Sequence, residues 1–170
     1  MIEVREAEVE DLDGVVEIYN ASILTTTTWS ERPQTIEERR VWFAARTAHG
    51  DAVYIAENDG SVVGFAAYGD FRDNTRWPGY RFTVENTVHV RDGWYGRGIG
   101  RSLMGRVLEH AANTGKHAVI AAVDAENVGS IAFHEALGFV EVGRLPEVGW
   151  KFDRWLDLVL LQRTLGDPPR

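Results

Sequence analysis

Residues 83–101 read TVENTVHVRDGWYGRGIGR, and the order of residue types in this stretch decides the fold. Val84, Val88 and Val90 are β-branched, and Thr83, Thr87 and His89 fit a half-buried pleat, so the stretch opens as a strand. Arg91-Asp92-Gly93 breaks that pattern, and Gly96, Gly98 and Gly100 follow at every second position. From Arg101 a helical pattern takes over, with Leu103, Val107, Leu108 and Ala111 on one face. A strand that feeds a glycine-rich turn and then a helix aims several backbone N–H groups at one spot. Glycine lets the backbone approach a ligand closely and a helix N-terminus adds positive potential, so the spot suits a pyrophosphate.

The spacing decides against two common phosphate loops. A Walker-type loop needs GxxxxGK[ST], and no Lys follows these glycines. A dinucleotide fingerprint needs GxGxxG, but the third glycine position holds Arg101 counting from Gly96 and Leu103 counting from Gly98. An ordinary glycine-rich turn is the competing reading of GxGxG alone, and the flanking strand and helix favour a ligand. Tyr95-Gly96-Arg97-Gly98-Ile99-Gly100 resembles the acyl-CoA pyrophosphate loop of the GNAT superfamily of N-acetyltransferases. That loop reads [Gln/Arg]-x-x-Gly-x-[Gly/Ala], and Tyr95 stands here in place of the Gln or Arg. The resemblance implies acetyl-CoA as co-substrate, held by Gly96, Arg97, Gly98, Ile99, Gly100 and Arg101.

Composition bounds the rest. A chain of 170 residues is expected to form one domain, residues 1–170, with a full core. Hydrophobic residues at 44% and charged residues at 26% are an ordinary globular balance. No apolar run approaches the ~20 residues that span a bilayer, and the acidic start MIEVREAEVEDL lacks the layout of a signal peptide. A cytoplasmic enzyme with no membrane partner is the expectation. With no Cys, disulfides, thiolate metal sites and a thioester-linked acyl-enzyme are excluded. A formal net charge of −8 argues against a nucleic-acid partner and is compatible with a cationic substrate.

Along the chain, Ile2 and Val4 mark a first strand, and Asp11 is placed to cap a helix carrying Leu12, Val15, Val16 and Tyr19 inward. Residues 24–29, rich in Thr, read as a loop that either brings Trp29 to the site or buries it as a core plug. Thr35 caps a second helix that runs to Ala48. Two strands flank Asn58-Asp59-Gly60, a strong hairpin signal. The connection over residues 69–80 holds two arginines, aromatic residues and a proline, a composition suited to a binding loop. Residues 118–123 form a buried strand, a short helix ends before Gly138, and residues 139–143 and 156–164 make two last strands around a loop at 144–154. The order β-α-α-β-β-β-α-β-α-β-β implies an α/β (α+β) fold: a mixed, mostly antiparallel sheet with helices on both faces.

Two groups of residues can carry chemistry. Glu85 lies mid-strand, facing the same side as Thr87, and a carboxylate there must be paired, solvated or functional. An ion pair with Arg81, four residues earlier, competes with a general-base role. Asn127, Ser130 and His134 share one stripe of a helix, which is either a solvated face or a polar contact to a ligand. None of the five His falls in an HExxH or clustered metal pattern, and no GxSxG elbow is present, so no metal is expected.

Residues 83–90, 127–130 and 134–139 are similar to the phosphinothricin / methionine sulfoximine acetyltransferase branch of GNAT, and the likeness extends to Ile18-Tyr19-Asn20 and Lys151-Phe152 with Trp155-Leu156-Asp157. The resemblance implies Glu85 as base, pantetheine pairing by the backbone of Val88, His89 and Val90, and CoA contacts from Asn127 and Ser130. It puts His134 where many GNAT enzymes carry a Tyr acid. It also implies a small glutamate- or methionine-like amino acid as substrate and a homodimer. Asn86 and Thr87 beside Glu85, Phe71, Trp77 and Trp29 are the expected substrate contacts, and Arg72 and Arg81 suit its carboxylate. The rivals are another amine substrate (polyamine, aminoglycoside or protein N-terminus) and a non-catalytic acyl-CoA-binding regulator.

Overall fold

A computed structural model describes residues 1–166. The strands are β1 (Ile2–Glu6), β2 (Val53–Asn58), β3 (Ser61–Asp70), β4 (Thr83–Val90), β5 (Ala118–Asp124), β6 (Val140–Lys151) and β7 (Arg154–Thr164). The α-helices are α1 (Leu12–Ser22), α2 (Ile36–Ala48), α3 (Ile99–Asn113) and α4 (Val128–Glu135). They follow one another in the order expected from the sequence. One seven-stranded sheet runs β1-β2-β3-β4-β5-β7-β6, antiparallel throughout except between β4 and β5.

The centre is held from both sides. Val15 and Ile18 of α1 pack on Ile55, Val62 and Phe65 on one face of the sheet. Leu103, Met104, Val107 and Ala111 of α3 pack on Tyr54, Tyr68 and Val84 on the other. Each such aliphatic side chain contributes roughly 1.5–3 kcal/mol when fully buried, so β2–β4 form the rigid part of the sheet. Gly64 makes the close approach of α3 feasible, because a Cβ there would meet Ile99 and Leu103 side chains at 3.1 Å and the His89 carbonyl at 3.0 Å. Arg39 of α2 is only 2% exposed: its guanidinium lies 4.5 Å from the ring centres of Tyr19 and Trp42 and donates to Gln34 Oε1. Burial pulls its pKa down to about 10.

Thr35 caps α2 as expected, accepting from the Glu38 N–H at 3.2 Å while Glu38 accepts from the Thr35 N–H at 2.9 Å. Asp59 and Gly60 take positive φ values of 49° and 78° in the two-residue turn joining β2 to β3. Three expectations are corrected. Asp11 does not cap α1 with its side chain: a short 3₁₀ turn, Val9–Asp11, intervenes, and the carboxylate binds Arg5 at 2.7 and 2.8 Å and the Glu8 N–H at 2.8 Å. Residues 144–154 are not a loop but most of a long hairpin, β6 pairing with β7 out to Lys151↔Arg154. Pro146 and the glycines at 143 and 149 read as loop residues, yet β6 is an edge strand with register shifts at just those places, where Pro and Gly are tolerated. Arg81 forms no ion pair with Glu85: β4 begins at Thr83, and Arg81 follows a 3₁₀ turn, Pro78–Tyr80, where it donates to the Pro78 carbonyl.

The parallel pair matters most for the site. β4 and β5 pair only at Thr83↔Ala118, Val84↔Val119 and Glu85↔Ile120, and then part. From residue 86 to residue 90 the edge of β4 that faces β5 therefore has no strand partner, while β3 still pairs the other edge.

Candidate active site

Two adjoining cavities occupy this opening, of about 850 and about 180 Å³. Thr27, Val88, His89, Asn127 and Ser130 line both.

The larger cavity lies against the glycine turn. Gly96 and Gly98 have φ values of 76° and 78°, in the left-handed region, and Gly98 is the N-cap of α3. The helix's first bond runs from the Ser102 N–H to the Gly98 carbonyl at 3.0 Å, so the N–H groups of Ile99, Gly100 and Arg101 have no partner within the helix. Nothing lies within 4 Å of where a Cβ would sit on Gly96 or Gly98. A row of free N–H groups, a helix N-terminus and this open space fit a diphosphate. Arg101 is in the cavity wall, whereas Arg97 is not: its guanidinium lies 4.5 Å from the Trp94 ring centre. Of the residues expected to hold acetyl-CoA, the structure brings Val88, His89, Val90, Gly96, Gly98, Ile99, Gly100, Arg101, Asn127 and Ser130 together. The His89 ring itself is stacked on Phe65 at 5.0 Å, and burial beside Arg39 lowers its pKa to about 4, so it is neutral.

The smaller cavity is lined by Glu85, Asn86, Thr87, His134 and Trp29. Glu85 makes no hydrogen bond or ion pair with any described residue, and burial pushes its carboxyl pKa up. A carboxylate of this kind is more basic than usual and open to a ligand. Asn127 caps α4, its Oδ1 accepting from the Ser130 N–H at 3.0 Å.

His134 is 3% exposed and both ring nitrogens are engaged. Nδ1 sits 2.8 Å from the Ser130 carbonyl, which can only accept, so the proton belongs on Nδ1. Nε2 then accepts from Asn86 Nδ2 at 3.1 Å. This hydrogen-bond network assigns a neutral tautomer, and burial lowers the pKa further in that direction. In this arrangement Nε2 carries no proton to give, so the geometry lends no support to the acid role expected for His134. The ring orients Asn86, whose Oδ1 has no partner among the described residues.

The structure does not bring the loop residues to this site. Phe71, Arg72, Trp77 and Arg81 lie outside both cavities, with the Arg72 guanidinium 5.5 Å from the ring centres of Phe71 and Tyr80. A carboxylate clamp by Arg72 and Arg81 beside Glu85 is not formed in this chain. Conversely, α1 and the following loop contribute Glu17, Ile18, Ala21, Ser22 and Thr25 to the larger cavity. Arg91 fixes that wall through two bonds to Glu17 at 2.9 and 3.0 Å. The inward periodicity of Leu12, Val15, Val16 and Tyr19 pointed α1 at the sheet, but no local pattern links Glu17 to Arg91.

A parallel strand pair that parts above a helix-capping glycine turn defines an acyl-CoA-binding class of α/β fold. The Acetyltransferase (GNAT) family profile matches residues 15–139, and the chain belongs to that family. It is 42% identical to the L-methionine sulfoximine/L-methionine sulfone acetyltransferase of Pseudomonas paraeruginosa, over 98% of this chain and 96% of that one. It is 35% identical to the phosphinothricin N-acetyltransferase of Alcaligenes faecalis, over 96% of this chain and 82% of that one. Among solved structures, yncA of Salmonella typhimurium, a putative acetyltransferase solved with acetyl-CoA, superposes with a TM-score of 0.92 at 37% identity, covering 97% of this chain and 94% of that one.

Proposed function

We propose that this chain is an acetyl-CoA-dependent N-acetyltransferase whose acceptor is the α-amine of a small amino acid of the methionine sulfoximine, methionine sulfone or phosphinothricin type. The observation that carries the reading is Glu85, a basic carboxylate with no partner among the described residues, at the point where β4 and β5 part. Acetyl-CoA bound along the larger cavity supplies a thioester carbonyl as the electrophile. Glu85 takes the proton of the incoming ammonium, directly or through one water. Backbone N–H groups of β4 that have lost a β5 partner are the donors for the carbonyl oxygen and the pantetheine arm. Without Cys, the amine attacks directly and no thioester-linked acyl-enzyme forms: the C–N bond forms, the thioester C–S bond breaks, and coenzyme A leaves as its thiolate, which takes a proton from water.

The smaller cavity, about 180 Å³, is well below the ~300–1,000 Å³ of sites for drug-sized ligands, which favours an amino acid over an aminoglycoside. An open base beside the acyl-CoA cavity also disfavours a binding-only regulator. The test is free-thiol release from acetyl-CoA over a panel of L-methionine sulfoximine, methionine sulfone, phosphinothricin, spermidine, an aminoglycoside and a peptide N-terminus. Turnover confined to the amino acids is expected; turnover of the polyamine or peptide alone overturns the substrate assignment.

The same reading includes a homodimer. The β6–β7 hairpin exposes Leu145, Val148, Trp150, Phe152 and Trp155, and the two Trp rings meet at 5.1 Å. Apolar surface gathered in this way is typical of an interface between chains.

A further inference from the structure

The loop over residues 24–29 has no helix or strand of its own, yet it walls both cavities: Thr25 and Thr27 face the larger and Thr26, Thr27, Thr28 and Trp29 the smaller. Its placement relative to Glu85 must come from ties to the rest of the chain. On one side it hangs from α1, through the Thr25 N–H and Oγ1 to the Ser22 carbonyl and through Thr28 Oγ1 to the Tyr19 hydroxyl at 2.9 Å. The other tie is more than 120 residues away in sequence. Lys151, the last residue of β6 and 2% exposed, donates from Nζ to the Thr25 carbonyl and to the Thr28 carbonyl, both at 2.6 Å.

Three features make this more than incidental packing. A lysine is almost never this buried unless its charge is satisfied, and among the described residues no carboxylate pairs with Lys151; two loop carbonyls take that place. The Thr28 carbonyl would otherwise be a buried acceptor without a donor, which the chain avoids. Two residues earlier, Gly149 leaves a notch filled by Trp29: a Cβ on Gly149 would fall 2.0 Å from the Trp29 ring. The hairpin therefore grips the loop twice from one strand.

We propose that Lys151 is a positioning residue for the acceptor amine. Its ammonium, with the Gly149 notch, fixes residues 25–29 and thereby sets the wall opposite Glu85, resting on the acceptor site proposed above. Lys151 lines neither cavity; it acts through the loop carbonyls. Thr25 and Thr27 also wall the larger cavity, but the glycine turn proposed to seat the diphosphate leads into α3 and makes no bond to Lys151, so acetyl-CoA is the less affected substrate.

Two readouts test this on the full-length protein. In steady-state kinetics with acetyl-CoA and L-methionine sulfoximine, Lys151→Met should raise the amino-acid KM at least tenfold and the acetyl-CoA KM less than threefold, and Lys151→Arg should recover part of the loss. By hydrogen-exchange mass spectrometry, Lys151→Met should speed exchange in a peptide covering residues 24–30 but not in one covering 96–104. Gly149→Ala, which displaces Trp29 without touching the lysine, should give the same pattern if Lys151→Met fails to fold. Unchanged amino-acid KM, equal losses for both substrates, or unchanged exchange at 24–30 would each overturn the proposal. A wild-type protein that turns over no amino acid refutes the substrate assignment instead, and the exchange experiment still decides the role of Lys151.

Discussion

Glu85→Gln isolates the proposed base from everything else at the site. Gln has the same shape, and the carboxylate it replaces holds no partner whose loss would disturb the fold. A positioned general base contributes ~10²–10⁴ in rate, which at about 1.4 kcal/mol per decade is about 2.8–5.6 kcal/mol of barrier. The lower end is expected, because the cavity admits water that can carry the proton away in part. Thiol release measured across pH supplies a second signature. Glu85 acts only when deprotonated, so wild-type kcat/KM falls as pH drops through its raised pKa, and the variant should lack that limb. Stability supplies a third. A folded-state pKa raised by burial favours folding fully at pH below the ordinary carboxylate value, and that contribution is lost as pH rises through the raised value. At neutral pH the charged Glu85 is thus a burden, and Glu85→Gln should melt at the same temperature or higher. A rate within threefold of wild type with an unchanged acidic limb would falsify the base assignment; a loss of rate together with a lower Tm would make the carboxylate structural.

Three further outcomes follow from the geometry. Gly98→Ala forces a Cβ onto a residue at φ 78° and should destabilise by ~1–2 kcal/mol, a Tm drop of ~2–8 °C, while raising the KM for acetyl-CoA and not for the amino acid; an unchanged acetyl-CoA KM contradicts the diphosphate site. His134→Gln should lower kcat through a misplaced Asn86 yet leave the alkaline limb of the pH profile in place, whereas loss of that limb restores an acid role for the ring. Trp155→Asp on the exposed hairpin should convert the proposed dimer to monomer in light scattering, and a wild-type protein that is already monomeric removes the proposal.

The sequence carried the fold because its periodicities were local. The strand, glycine turn and helix over 83–113, the Asn-Asp-Gly hairpin and the Thr35 cap each declare themselves within a few residues. The last two strands were legible, but their continuation to a tight turn was not: that turn, Phe152-Asp153 at φ 54° and 55°, contains no glycine, and Pro146 sits inside an edge strand. At the site, Glu85 and the N–H row of α3 were readable from strand parity and glycine spacing. The tautomer of His134 was not, because it follows from how the folded ring sits, with Nδ1 on the Ser130 carbonyl and Nε2 left to meet Asn86, 48 residues away. Arg81 reads as a neighbour of Glu85 because nothing local marks the 3₁₀ turn before β4, and the role of Lys151 was unreadable because its partners are main-chain carbonyls, which have no sequence signature.

A crystal structure with coenzyme A and L-methionine sulfone bound together tests the core of this account most directly. The account predicts the diphosphate on the N–H groups of residues 99–101 and the α-amine within direct or one-water hydrogen-bond reach of the Glu85 carboxylate. An amine turned away from Glu85, or a diphosphate seated elsewhere, would contradict it.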